Sequence, residues 1–232
     1  RELRHLARAG IPARFRAKLW FECSGGSQMN EIGYYQGLIM KSIVSSSPFK
    51  PQIELDIHRT MPNNTYFSSE GQGVEKLYRI LLAYSIHNPS VGYCQSMNLI
   101  AATLLLVLPT EEEVFWTLAA IIEHVLPLEY FTSTLLVSQA DQRVLKDFVS
   151  KYLPRLNRHF DMLGVDLGAI TFNWFLSLFT SCAPFPLVLR IWDVFLIEGD
   201  ATLFRISLAM LELNMDNLLR LNSSSSIYNY LK

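Results

Sequence analysis

Leu145-Lys146-Asp147-Phe148-Val149-Ser150-Lys151-Tyr152-Leu153-Pro154-Arg155-Leu156-Asn157-Arg158-His159-Phe160 is the stretch on which the fold class turns. Leu145, Phe148, Val149, Tyr152, Leu153, Leu156 and Phe160 recur at steps of three and four. That spacing gathers them into one apolar stripe on an α-helix, with Arg143, Lys146, Asp147 and Lys151 on the opposite face. Proline has no N–H and its ring clashes with the preceding turn, so Pro154 kinks this helix or marks the junction of two.

The same reading extends in both directions. Pro12 after Gly10 opens a helix through Trp20, since the first helical turn tolerates proline. Helices are expected over Glu70–Ile86, after Pro109-Thr110 where three acids complement the macrodipole, and near Ile170–Thr180, Pro186–Ile197 and Thr202–Leu213. Ser45–Ser47 and Gly25-Gly26-Ser27 read as connections, and Ser223–Ser226 as a loop before a last short helix. Leucine occurs 36 times against 12 valines, a preference that favours helix over sheet. No segment alternates as a strand, so the fold class is all-α.

Half of the 232 residues are hydrophobic and only 18% are charged, which calls for a large packed core in one domain or two fused lobes. The formal net charge is −1, so no basic field exists to draw nucleic acid. The longest apolar run, Leu99–Leu108, is about half of what spans a bilayer, so no membrane-spanning helix is expected. Cys23, Cys94 and Cys182 are far apart and suggest neither zinc nor a disulfide framework. The sequence lacks HExxH, GxSxG, GxGxxG and a P-loop, and its five histidines are scattered. Beginning at Arg1 with no cleavable signal, it reads as a piece of a longer cytosolic polypeptide.

Two polar islands remain. In Ile53-Glu-Leu-Asp56-Ile-His-Arg59-Thr60, Ile53 and Ile57 face inward while Asp56 and Arg59 can pair along one helix face. Pro62, Asn63 and Asn64 then end the helix, leaving Arg59 at its terminus. Its simplest role there is to complement the helix dipole, worth about 0.3–1 kcal/mol. In Gly92-Tyr93-Cys94-Gln95-Ser96-Met97-Asn98, turn residues precede the apolar run and place Gln95 exposed at a helix start beside a Ser cap. Residue chemistry alone gives neither island more than a structural role.

Taken together and in order, these segments resemble the TBC domain, the helical GTPase-activating domain that acts on Rab-type small GTPases. The resemblance rests on Gly10-Ile11-Pro12 leading into Arg16-x-x-x-Trp20, then Ile53-x-x-Asp56-x-x-Arg59-Thr60, then Tyr93-Cys94-Gln95 with Asn98. It continues through Trp174-Phe175-x-x-Leu178-Phe179, Pro184-Phe185 and Arg190-Ile191-Trp192-Asp193. It implies a bilobed helical domain over residues 1–232, with an N-terminal lobe of about 1–137 carrying both islands and a C-terminal lobe of about 138–232. It also implies that Arg59 is an arginine finger and Gln95 a glutamine finger. Asp56, Arg16, Tyr93, Trp20 and Asn98 then have supporting or positioning roles, with Trp20, Trp192 and Asp193 structural.

The partner implied is a GTP-bound Rab, which brings its own GTP and Mg²⁺, so no cofactor or metal is expected in this chain. The location implied is cytoplasmic, peripheral to endomembranes. Ser96 stands where the family often has glycine, and the expected effect is on the level of activity. The alternative is a Rab-binding scaffold or adaptor with vestigial catalysis, which would not require the Arg59–Gln95 pair.

Overall fold

The computed structural model describes residues 2–44, 47–68 and 71–232, and among them there are helices and no strand. The connection expected at Ser45–Ser47 and the helix start at Glu70 fall on residues 45, 46 and 70, outside the described residues. In chain order the helices are α1 (Glu2–Ala9), α2 (Ala13–Ser24), α3 (Gly26–Met29), α4 (Tyr34–Val44), α5 (Lys50–Ile57), α6 (Gly73–His87) and α7 (Met97–Leu105). The chain continues through α8 (Glu111–Ala120), a π-helical turn at Ile121–Val125, α9 (Leu136–Tyr152), α10 (Pro154–Leu163) and α11 (Gly168–Leu176). It ends with α12 (Phe185–Glu198), α13 (Ala201–Leu213), α14 (Met215–Leu219) and α15 (Ser224–Leu231).

Pro154 divides two helices and does not kink one: α9 stops at Tyr152, Leu153 leaves the helical region, and Pro154 opens α10. Six of the seven stripe residues face inward or partly inward. Tyr152 is the exception, 58% exposed, with the Lys151 ammonium over its ring at 5.2 Å. The start of α8 follows the acidic signal, with the Thr110 hydroxyl accepting from Glu113 N at 3.2 Å. Ser223 caps α15 in the same way.

Three local expectations change. Gly25 is no loose connector but a left-handed cap of α2 at φ 95°, from which α3 starts at once. The helix expected to reach Thr180 stops at Leu176, because Leu178 and Phe179 both adopt positive φ, 49° and 67°. Arg59 lies two residues beyond the end of α5 and not within its last turn.

The buried side chains form one continuous cluster from Trp20 to Leu231. Helix α7 supplies its middle: every residue from Met97 to Leu105 except Leu99 is buried, as a helix apolar all round requires. The helices α5, α6 and α8 pack around it, while α9, α10, α11, α12 and α13 pack among themselves in the second half of the chain. The first two helices pack on the second half of the chain, α1 and α2 both against α12. Among the described residues no helix is long and apolar enough to cross a membrane.

Candidate functional site

The first island is organised by a carboxylate that the fold removes from water. Ile53 and Ile57 are buried against α6 and α7, and on the helix between them Asp56 is fully buried. A buried carboxylate is costly unless its oxygens are paired. Oδ1 of Asp56 accepts from Arg59 Nε at 3.0 Å, Arg59 Nη2 at 2.7 Å and Gln52 Nε2 at 3.3 Å. Oδ2 accepts the Tyr93 hydroxyl at 2.6 Å. The charge is thus shared between an arginine on its own island and a tyrosine on the other. Burial, followed by the bond to Asp56, pushes the Tyr93 phenol far above its ordinary range, so this bond keeps its proton.

A second chain of bonds joins the two islands through neutral groups. The Thr60 hydroxyl donates to the Asp56 carbonyl at 2.7 Å, Asn98 Nδ2 donates to Thr60 Oγ1 at 2.7 Å, and Asn98 Oδ1 accepts from Ser96 N at 3.1 Å. Ser96 has φ 89° and its side chain makes no capping bond, contrary to the expected Ser cap. The left-handed turn, held by Asn98, swings the chain from Gln95 into α7 and leaves Gln95 exposed. A side chain in this region ordinarily costs about 1–2 kcal/mol, which explains why glycine is the easier residue there.

The Gln95 loop is also fixed at its root. Asn88 Nδ2 donates to Glu123 Oε1 at 2.8 Å, and the Asn88 side chain accepts from Ser90 Oγ at 2.6 Å and Val91 N at 3.3 Å. Gly92 has φ 62° and lies on the Phe49 ring, which a Cβ at this position would overlap. Cys94, next to Gln95, is half-buried. Burial, then the Asp56 charge, pushes its thiol up to about 11, so it is neutral near pH 7 and contributes no nucleophile.

These constraints bring Arg59 and Gln95, 36 positions apart, to one cleft of about 200 Å³. Ser96, Asn98 and Leu99 from the first half of the chain and Asn173 and Ser181 from the second half line the same cleft. The Arg59 side chain is 58% exposed although two of its nitrogens are on Asp56, and the described residues provide no partner for Nη1. The cleft therefore presents the Arg59 cation and the neutral Gln95 amide to an outside molecule.

Arg16 and Trp20 lie elsewhere, in the joint between α2 and α12. Arg16 Nε and Nη2 reach Asp193 Oδ1 and Oδ2 at 2.9 and 3.1 Å, and Trp20 Nε1 donates to Asp193 Oδ1 at 2.9 Å. Asp193 is fully buried, and the Trp20 and Trp192 rings lie 5.4 Å apart. Of the residues named from sequence, Arg59, Gln95, Asp56, Tyr93 and Asn98 form one connected site, while Arg16 and Trp20 tie α2 to α12. Thr60, Gln52, Asn173 and Ser181 were not singled out. Thr60 follows Arg59 within a quoted motif, which was a usable signal, whereas Asn173 and Ser181 carried none. Among the described residues no group of three His, Cys, Asp or Glu side chains could hold a metal ion.

Residues 13–219 match the Rab-GTPase-TBC domain family. The chain is 46% identical over 230 residues to the TBC domain-containing protein C4G8.04 of Schizosaccharomyces pombe, covering 99% of this chain and 30% of that protein. It is 44% identical to the rat TBC1 domain family member 2A, covering all of this chain and 25% of that protein. The chain thus spans less than a third of the curated relatives it matches. Among solved structures, the Chlamydomonas flagellar RabGAP TBC domain superposes with a TM-score of 0.91 at 33% identity, over 99% of this chain and 77% of that one. The Ypt/Rab-GAP domain of Gyp1p shares the fold, with a TM-score of 0.84 at 20% identity over 99% of this chain and 84% of that one. The chain belongs to the Rab-GTPase-TBC domain family.

Proposed function

We propose that this chain is a GTPase-activating domain for a Rab-family small GTPase in its GTP-bound state, with Arg59 as the arginine finger and Gln95 as the glutamine finger. The carrying observation is that both side chains are exposed on one cleft while the groups behind them are buried and hydrogen-bonded. Family membership and the likeness to a RabGAP TBC domain support the class of partner.

The chemistry follows from the residue types. Negative charge spreads over the phosphoryl oxygens in the transition state, and a guanidinium can neutralise it with a planar fork that never deprotonates. An arginine finger is worth about 10³–10⁵ in rate, or roughly 4–7 kcal/mol. Arg59 moving from Asp56 to phosphate exchanges one charge-assisted pair for another, and the cost of leaving a buried carboxylate behind is reduced by the hydrogen bonds it keeps. Tyr93 and Gln52 stay with the carboxylate when Arg59 leaves. The Gln95 amide can accept from the attacking water while donating to a phosphate oxygen. GTP and Mg²⁺ come with the partner.

The test is GTP hydrolysis by a panel of GTP-loaded Rabs with wild type, Arg59→Ala and Arg59→Lys. At least one Rab is expected to be accelerated, with Arg59→Ala lowering kcat about 10³-fold or more and lysine restoring little of it. No acceleration of any Rab, or full acceleration by Arg59→Ala, overturns the proposal.

A further inference from the structure

The cleft that holds Arg59 and Gln95 has a second wall from the later half of the chain, made of two exposed side chains, Asn173 and Ser181. They are joined through a short relay. The Ser177 hydroxyl donates to the Asn173 carbonyl at 2.7 Å, the oxygens of Ser177 and Ser181 are 2.7 Å apart, and Asn173 Nδ2 donates to Ser181 Oγ at 2.9 Å. Each hydroxyl has one proton. The Ser177 proton is on the Asn173 carbonyl, so Ser181 must donate to Ser177 and must accept from Asn173. The count fixes the amide orientation: Nδ2 towards Ser181, with Oδ1 and the second Nδ2 hydrogen left for an outside group.

The backbone that carries Ser181 back over Asn173 takes an unfavourable path. Leu178 and Phe179 hold consecutive positive φ values, 49° and 67°, with both side chains fully buried, and Trp192 Nε1 anchors the Leu178 carbonyl at 2.9 Å. Bulky residues rarely adopt this region, and such conformations persist only where the surrounding structure enforces them. Here the enforced turn brings Ser181 onto Asn173 and so orients an amide in the cleft that holds Arg59 and Gln95.

We propose that Asn173 is a docking and positioning residue for the partner GTPase, hydrogen-bonding a main-chain peptide group of the segment seated beside its bound nucleotide. The inference rests on the GTPase-activating reading above. The wall carries no charge, so this side suits an uncharged group while Arg59 takes the charge. One donor and one acceptor on a planar amide match the acceptor and donor of a peptide group. Contact with main chain sets the register of the bound partner against Arg59 and Gln95 without discriminating among side chains. It is made equally in the ground and transition states, so its loss weakens binding and spares the chemical step.

The test measures kcat and KM for the most strongly accelerated GTP-loaded Rab with wild type, Asn173→Ala, Ser181→Ala and Arg59→Ala, alongside thermal melting. Asn173→Ala is expected to raise KM about 3- to 10-fold with kcat within about twofold and an unchanged melting midpoint, the size of effect that one neutral hydrogen bond produces. Ser181→Ala, which only frees the amide to rotate, should raise KM about 2- to 3-fold. Arg59→Ala should show the opposite pattern, a collapse of kcat with little change in KM. An unchanged KM for Asn173→Ala, or a fall in kcat alone, overturns the proposal and leaves the finger assignment standing. Should Asn173→Ala melt several degrees lower, Ser181→Ala decides, and an unchanged KM there overturns the proposal. Wild-type kcat in Arg59→Ala would instead overturn the underlying reading, and this inference with it.

Discussion

Asn98 shows how one side chain can hold two loops together. Its amide donates to Thr60, whose single proton is committed to the Asp56 carbonyl, and its oxygen accepts from Ser96 N. Asn98→Asp keeps the acceptor but places a carboxylate against a Thr60 oxygen with no proton to give. A loss of about 1–3 kcal/mol in urea unfolding is expected, whereas Thr60→Ser, which preserves the hydroxyl and loses one buried methyl, should cost about 1 kcal/mol. Ser96 makes the converse case. Replacing it with glycine relieves a positive φ of 89° at the cost of chain entropy, with a net gain of about 0.5–1 kcal/mol in the same assay. At this scale the sequence was informative where partners are close along the chain. Asp56 and Arg59 are three apart, and that spacing made their pairing legible even though Arg59 lies past the end of α5. The Thr60–Asn98 bond joins positions 38 apart, and no local pattern encodes such a contact.

Among the elements, the α2–α12 joint ties the start of the chain to its second half. The Asp193 carboxylate is fully buried and depends on Arg16, Trp20 and, at 3.4 Å, Arg190. Arg16→Ala should cost about 3 kcal/mol or more, because it leaves a buried charge short of its main partner. Trp20→Phe, which keeps the ring but removes the N–H, should cost about 1–3 kcal/mol; denaturant titration of the pair separates the two. The periodic helices were legible because apolar residues at steps of three and four have one stable arrangement in a core. The stop at Leu176 was not. Positive φ is usually signalled by glycine, and Leu178 and Phe179 look like a continuation of the helix. The same disguise hid the Asn173–Ser181 wall.

For the whole molecule, the charge-poor composition makes acid sensitivity depend on a few carboxylates. Burial alone would raise Glu111, but the bonds from Arg79 and Tyr35 outweigh it and hold the carboxyl below its ordinary value. Glu123 is lowered in the same way by His87, Asn88 and Tyr84 against its own burial. Both therefore add stability that is complete above the unfolded glutamate value of about 4.3 and is lost as pH falls through their lower folded values. Asp141 runs in the opposite sense. Burial raises it and the Asp200 charge adds to the effect, against the Tyr130 hydroxyl, so its ionised form destabilises the fold at neutral pH. Asp141→Asn should raise the urea midpoint at pH 7, with the gain shrinking as pH falls towards 4.

Under the proposed function the same low charge is what is expected, since phosphate would be met only as part of another protein's bound nucleotide. One placed arginine and one amide then suffice, with no basic surface needed. The central claim is that Gln95 acts on the attacking water in place of the GTPase's own glutamine, with Arg59 beside it on the phosphate. The most direct measurement is single-turnover hydrolysis by an accelerated Rab whose own water-positioning glutamine has been replaced by alanine, with wild-type domain, Gln95→Ala and Arg59→Ala side by side. Acceleration is expected to survive the replacement in the Rab and to disappear with either domain variant. Acceleration that vanishes when the Rab loses its glutamine, or that persists with Gln95→Ala, would contradict the account.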